Sequence, residues 1–258
     1  MMTRNTQNAH QNDFLSPRCT PTTLDTWLWR SAIVQALRET LPHFSGTLLD
    51  IGSGNQPYRP LVLAPPSRVS TYLALDITGK YQRPDIRWDG QAIPLRDSSV
   101  DGAMATEVFE HCPQPERVMA EALRVLRPGG LLFFTVPFLW PLHDVPYDEY
   151  RYTPFSLERL LRGAGFVQVA TKAPGGWDWS MAQMMGLWVR RRWSVQERRL
   201  PAQVQFVLKP TLSLLLLPIV WGLSKGDTPQ NHFHFDGMIP GLVGTARKPP
   251  VVGDTSGE

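Results

Sequence analysis

Apolar and polar positions along the chain follow two periods in turn. Residues 23–41 return apolar side chains at Leu24, Trp27, Leu28, Val34, Leu37 and Leu41, near helical spacing. Thr23 is placed to cap that helix and Pro42 to stop it. Short apolar runs then predict buried strands at 47–51, 71–77, 100–106, 131–136 and 166–171, with 86–88 as a short edge-like piece. Between them, residues 116–126 are amphipathic, with Val118, Met119, Ala122, Leu123, Val125 and Leu126 apolar, and Pro128-Gly129-Gly130 is expected to end that helix. Residues 154–162 predict a further helix, with Pro154 in its first turn and Gly163 near its end. Strands alternating with helices imply an α/β fold whose mostly parallel sheet is covered on both faces. The rhythm breaks at about 174–227 and resumes at 237–246, the expected last strand.

Length and composition add boundaries to this pattern. A chain of 258 residues, 42% hydrophobic, suits one globular domain with an insertion. The expected organisation is a polar tail over 1–22, a domain formed by 23–173 with 228–248, a helical insertion or cap over 174–227, and a tail over 249–258. Cys19 and Cys112 offer neither a disulfide framework nor a metal cluster, and the polar start lacks the apolar core of a signal peptide. Both features predict a reduced, cytoplasmic protein without a bound metal. A net charge of +3 is too small to argue for nucleic acid.

The most informative residues are Leu48-Leu49-Asp50-Ile51-Gly52-Ser53-Gly54. The apolar half predicts a central strand, and the two glycines remove side chains where the chain turns and a ligand meets the backbone. Ligands of open α/β sheets bind at the carboxyl ends of strands, where this turn lies. Asp76 closes the next strand 22 positions after Gly54, near the roughly 20 expected of an acid that accepts ribose hydroxyls. A dinucleotide fingerprint would need a small residue at 57, where Pro57 stands, and a helix N-terminus for the pyrophosphate. Asp50 would also repel a pyrophosphate, whereas it can accept a hydrogen bond or charge from an ammonium group. A nucleoside without phosphates fits better.

These residues resemble the class I S-adenosylmethionine-dependent methyltransferases. Asp50 to Gly54 match their glycine motif and Asp76 their ribose-binding acid. Asp89-Gly90-Gln91-Ala92-Ile93-Pro94 is similar to the segment whose acid meets the adenine amine. Ser98 to Asp101, Glu107 to His111 and Glu121 to Gly130 resemble the fourth strand, its loop, and the helix and turn before the fifth strand. The match covers roughly 46–171, with five segments in order. The resemblance implies a Rossmann-like seven-stranded sheet and S-adenosyl-L-methionine as cofactor. It implies that Asp50, Gly52, Ser53 and Gly54 face the methionine part, Asp76 and Ile77 the ribose, Asp89 and Gly90 the adenine, and Glu107 and His111 the region under the sulfonium. The Pro-rich stretch 55–66 departs from relatives that carry a regular helix there.

After the fifth strand, residues 137–153 are dense in aromatic and ionisable groups. They are similar to a His-Asp-x-Pro-x-Asp-x-Tyr-Arg-Tyr-Thr segment of methyltransferases near bacterial polysaccharide and glycolipid synthesis. Methyl transfer to a hydroxyl requires removal of its proton, and histidine titrates in the useful range. His143 is the first candidate base and Asp144 its orienting partner. Tyr150, Arg151 and Tyr152 are candidates to hold a sugar or anionic group. The competing reading is a loop whose His–Asp pair only ties it down.

Five of the nine tryptophans (177, 179, 188, 193 and 221) fall within 177–223, among Arg190, Arg191, Arg192, Arg198 and Arg199, ahead of the apolar run 212–223. Such a stretch is too short to span a membrane. It suits an interfacial helix at the inner face of an anionic membrane, a cap on the core, or a dimer seam. His232 and His234 lack further ligands nearby in sequence and predict a strand or lid edge. The expected activity is methylation, at oxygen, of a small-molecule or glycan acceptor, lipid-linked or free. An NAD-dependent oxidoreductase or epimerase, a non-catalytic nucleoside-binding module and an RNA methyltransferase are the alternatives.

Overall fold

The computed structural model describes residues 13–77, 84–196 and 202–251; the side chains of 192–206 and Lys209 fall outside that description. Most of the expected terminal tails, together with Arg192, Trp193, Arg198 and Arg199, therefore lie outside the described side chains. The elements are α1 (Trp27–Thr40), β1 (Ser45–Ile51), α2 (Arg59–Val62), β2 (Arg68–Ile77), β3 (Ile86–Trp88) and β4 (Val100–Thr106). They continue with α3 (Pro115–Val125), β5 (Leu126–Pro137), α4 (Pro154–Gly163), β6 (Val167–Lys172), α5 (Trp177–Gln196), α6 (Ala202–Leu223) and β7 (Gly241–Arg247). The strands form one seven-stranded sheet in the order β3-β2-β1-β4-β5-β7-β6. The pairs β1–β2, β1–β4, β2–β3 and β4–β5 are parallel. The α/β class and the Rossmann-like sheet expected from the strand–helix alternation are those of the structure.

Central strands carry apolar side chains on both faces. Leu48, Leu49 and Ile51 of β1, Ala103 to Ala105 of β4 and Leu132 to Phe134 of β5 are buried. That is how a parallel strand covered on both sides reads in sequence.

Several boundaries differ from the sequence pattern. The first helix begins at Trp27 rather than 23. Thr23 instead closes a turn: its hydroxyl accepts from the Thr20 amide and donates to the Arg18 carbonyl. Helix α3 stops at Val125, and β5 starts at Leu126, ahead of the Pro-Gly-Gly expected to separate them. Strand β5 absorbs that sequence as an irregularity between the partners of Val100 and Gly102. The Gly129 amide donates to the Lys248 carbonyl and the Lys248 amide to the Gly130 carbonyl, which keeps the ladder satisfied. Lys248 also sends its ammonium to the carbonyls of Arg124 and Leu126, capping α3. The last strand starts at Gly241 rather than 237, because residues 234–237 close a turn through the Gly237 amide and the His234 carbonyl. His232 and His234 sit on that exposed connection, before β7 rather than on it.

By contact density the chain divides into two compact units. One comprises 37–136, 146–171 and the chain from 244 onward; the other comprises the chain up to 36, 137–145 and 172–243. The helices of the expected insertion, α5 and α6, fall in the same unit as the N-terminal segment and 228–243.

Candidate functional site

At the carboxyl end of β1 the chain turns through Gly52 (φ +66°), Ser53 and Gly54 (φ +51°). Left-handed backbone at both glycines suits residues without a Cβ. Gly52 has a second reason: a Cβ there would stand 2.6 Å from a Val108 methyl on the loop after β4. At Gly54 a Cβ would meet nothing within 4 Å, so the bend is open on that side. The Ser53 amide donates to the Leu75 carbonyl at 3.0 Å, and the Gly54 amide donates to the Asp76 carboxylate at 2.5 Å. The bend after the first strand and the acid at the end of the second therefore meet directly. Strand register places Ile51 beside Leu75 and Ala105, and Ile77 beside Trp88, so four strands end together here.

Two carboxyl groups at this edge have different surroundings. Asp50 is buried and takes a hydrogen bond from the Tyr72 hydroxyl on one oxygen. Its other oxygen, Oδ1, and the buried Ser53 hydroxyl have no hydrogen-bond partner among the described residues. Burial pushes the Asp50 carboxyl up to about 7, against the Tyr72 bond, with the nearby Asp76 adding to the rise. The Arg59 guanidinium covers the Tyr72 ring at 5.2 Å and reaches Gln56 at 2.8 Å, bracing the same corner. Asp76 is raised as well, by burial that outweighs its bonds from the amides of Gly54 and Ile77. Beyond it, Ile77 is 58% exposed, an apolar surface at a strand end.

Asp89 follows β3 and folds an Asx turn, accepting from the amides of Gln91 and Ala92 at 2.8 and 3.1 Å, and these amides hold its carboxyl below the usual range. Gly90 takes φ +82° with open space where a Cβ would be.

The loop after β4 carries the next group. Glu107 adopts φ +56°, its amide donates to the Thr135 carbonyl, and its carboxylate accepts from the Thr135 hydroxyl at 2.8 Å. Glu110, which carries no assigned role in the sequence reading, is wholly buried. Burial raises its carboxyl well above the ordinary value, Glu107 adds to this, and Arg151 opposes it. The segment 147–152 is fastened to this loop at several points. The amides of Glu149 and Tyr150 donate to the Glu110 carbonyl, His111 Nδ1 lies 3.0 Å from the Tyr147 carbonyl, and the Tyr152 hydroxyl donates to the Phe109 carbonyl at 2.8 Å.

Sequence reasoning assigned Tyr150, Arg151 and Tyr152 one shared role, but the structure gives them different surroundings. Tyr152 is buried with its hydroxyl on the Phe109 carbonyl. Tyr150 is more open and stacks on Tyr152 with centroids 5.6 Å apart. Arg151 grips Asp148 with both guanidinium nitrogens, at 2.6 and 2.8 Å. Asp50, Gly52, Ser53, Gly54, Asp76, Ile77, Asp89, Gly90, Glu107, His111 and the 150–152 segment all belong to one compact unit. His143 and Asp144 belong to the other; His143 is half-buried, and Asp144 is exposed with φ +48°.

The residues at the glycine bend fit an adenosine bearing a cationic amino-acid chain. They offer an open bend, an orphaned buried carboxylate oxygen and hydroxyl, an acid at the second strand end and an apolar ledge. A pyrophosphate fits poorly: α2 is a four-residue helix that starts at Arg59, beyond the bend.

Residues 49–134 match the family model described as a methyltransferase domain. The chain is 29% identical over 217 residues to an uncharacterised methyltransferase of Mycobacterium sp. strain KMS, covering 74% of this chain and 84% of that one. A methyltransferase of Mycobacteroides abscessus, also uncharacterised, is 53% identical over 69 residues, covering 25% of this chain and 26% of its own. Among solved structures, a SAM-dependent methyltransferase of Thermotoga maritima superposes with a TM-score of 0.53 at 15% identity, covering 95% of this chain and 97% of its own. Phosphoethanolamine N-methyltransferase 2 of Haemonchus contortus, solved with S-adenosyl-L-methionine, gives a TM-score of 0.53 at 14% identity, covering 93% of this chain and 59% of its own.

Proposed function

From the premise that this chain is a class I S-adenosylmethionine-dependent methyltransferase, we propose that it methylates a hydroxyl of a small-molecule or glycan acceptor. The observation that carries the cofactor half is the Gly54–Asp76 contact beside the orphaned Asp50 oxygen. The acceptor half rests on the ionisable and aromatic residues of 137–153. When bound, the cofactor supplies an electrophilic methyl group on a sulfonium.

The roles proposed for the chain are these. Asp50 and Ser53 receive the ammonium end of the cofactor, Asp76 and Ile77 its ribose, and Asp89 and Gly90 its base. Glu107 and His111 flank the methyl-donating end. His143 takes the acceptor's hydroxyl proton as the carbon–sulfur bond breaks and the carbon–oxygen bond forms, and Asp144 orients it. Tyr150 and Arg151 position the acceptor, while Tyr152 anchors their loop. The free cysteines suit a reducing cytoplasm. Peripheral contact with the inner membrane face through 177–223 belongs to the same proposal and would favour a lipid-linked sugar.

The test is a panel of hydroxylated acceptors, including sugars and lipid-linked sugars, incubated with methyl-labelled cofactor. Label in an O-methyl product that disappears in His143→Ala supports the reading. Label confined to nitrogen or carbon rejects it.

A further inference from the structure

Helix α6 is built inside out. Its fully buried described side chains are Ser213 and Val220, whereas Val207, Leu214, Leu215, Ile219 and Trp221 are 49% to 64% exposed. A helix facing water on one side puts leucines inward and polar residues outward. Residues 210–223 contain no charged residue to blunt this face. Helix α5 adds a row of its own. Trp177, Met181, Met184 and Trp188 recur at helical spacing and are 46% to 57% exposed, while Trp179, Ala182, Leu187 and Val189 are buried. The two helices pack on one another within one compact unit.

We propose that the α5–α6 pair docks on an anionic lipid surface, lying along it with these apolar rows at the boundary between headgroups and acyl chains. Charge selects this occupant. Residues 177–223 carry six Arg and Lys against two Asp and Glu. Asp25 offsets part of that excess through Arg191 at 2.7 Å, and the sum remains positive. Anionic headgroups neutralise such an excess, whereas a second copy of the same face would repel it. At the far end of α6, Lys225 lies over the Trp221 ring at 6.0 Å, an aromatic–cation pair suited to the interface between water and lipid. No helix among the described residues is long and apolar enough to cross a membrane, and α6 carries Pro210 and Pro218 within its length, so the contact proposed runs parallel to the surface.

This inference sharpens the membrane contact proposed above and does not depend on methyl transfer. The test is flotation of the full chain with vesicles of phosphatidylcholine alone or with about one third phosphatidylglycerol. The expected result is at least about tenfold more protein on the anionic vesicles, falling with added salt. Leu214→Glu with Leu215→Glu should abolish binding, while S-adenosylhomocysteine binding by calorimetry is retained. Absence of the intact chain from anionic vesicles overturns the proposal. So does a dimer, seen by light scattering, that the double substitution dissociates without any vesicle binding. Should the variant unfold, quenching of tryptophan emission by brominated lipid in the unaltered chain decides, and no quenching rejects the docking. Failure of methylation with intact vesicle binding would count against the acceptor reading alone.

Discussion

The amide of Gly54 and the carboxylate of Asp76 are joined by a hydrogen bond across 22 positions of sequence. The acid is thereby held at the mouth of the bend, where the proposed function puts a ribose. Asp76→Ala should weaken S-adenosylhomocysteine binding by about 1–3 kcal/mol, from lost hydrogen bonds to a charged group. Calorimetry checks it; an unchanged affinity removes Asp76 from the site.

Asp50 supplies a pH signature. Its carboxyl is raised from 3.8 to about 7, so the fold favours its neutral form. Stability contributed by that neutral form is present below pH 4 and is lost as pH rises toward 7. A cofactor ammonium pairs with the ionised form, so affinity should climb as pH passes through about 7. Asp50→Asn should flatten both profiles. Denaturant melts and calorimetry between pH 5 and 8.5 read the two trends, and an Asn variant with the parent's pH dependence would refute the assignment.

Gly52 and Gly54 should respond differently to alanine. Both take left-handed backbone, which costs about 1 kcal/mol in a residue with a Cβ. At Gly52 the added methyl also meets Val108 at 2.6 Å, which adds overpacking of about 1–3 kcal/mol. Gly52→Ala should therefore melt clearly lower, whereas Gly54→Ala should keep most of its stability and lose cofactor affinity into the open side of the bend. Equal melting temperatures would contradict this.

Glu110 is wholly buried, and burial raises its carboxyl well above the ordinary range, with Glu107 adding to the rise. Glu110→Gln preserves its shape without a titrating proton. The parent should lose stability as pH rises above the ordinary value of 4.5, and the Gln variant should lose less. Equal slopes in urea melts taken from pH 5 to 8 would show that Glu110 does not titrate on unfolding.

Tyr152→Phe removes the hydroxyl that holds the 147–152 segment to the Phe109 carbonyl. The buried carbonyl then lacks that partner, at a cost of about 1–3 kcal/mol. Thermal melts should show this loss, and hydrogen exchange should rise at the amides of Glu149 and Tyr150. Unaltered exchange would mean the other contacts suffice.

What the sequence determined by itself is the α/β frame and the identity of the bend. Runs of apolar residues closed by Gly52 and Gly54, and an acid ending the next run, express local preferences that the chain carries with it. Tertiary structure decided the rest. Nothing local announces that Val108 forbids a side chain at Gly52, since those residues meet only when β1 and β4 pair. Composition did not mark Glu110 as buried, because burial depends on residues distant in sequence, such as Glu149 and Tyr150, whose amides meet the Glu110 carbonyl only in the folded chain. Leu214 and Ser213 show the limit most clearly: hydrophobicity says which residue prefers to leave water, yet in the folded chain the serine is buried and the leucine is 64% exposed, because tertiary packing and not local preference sets burial.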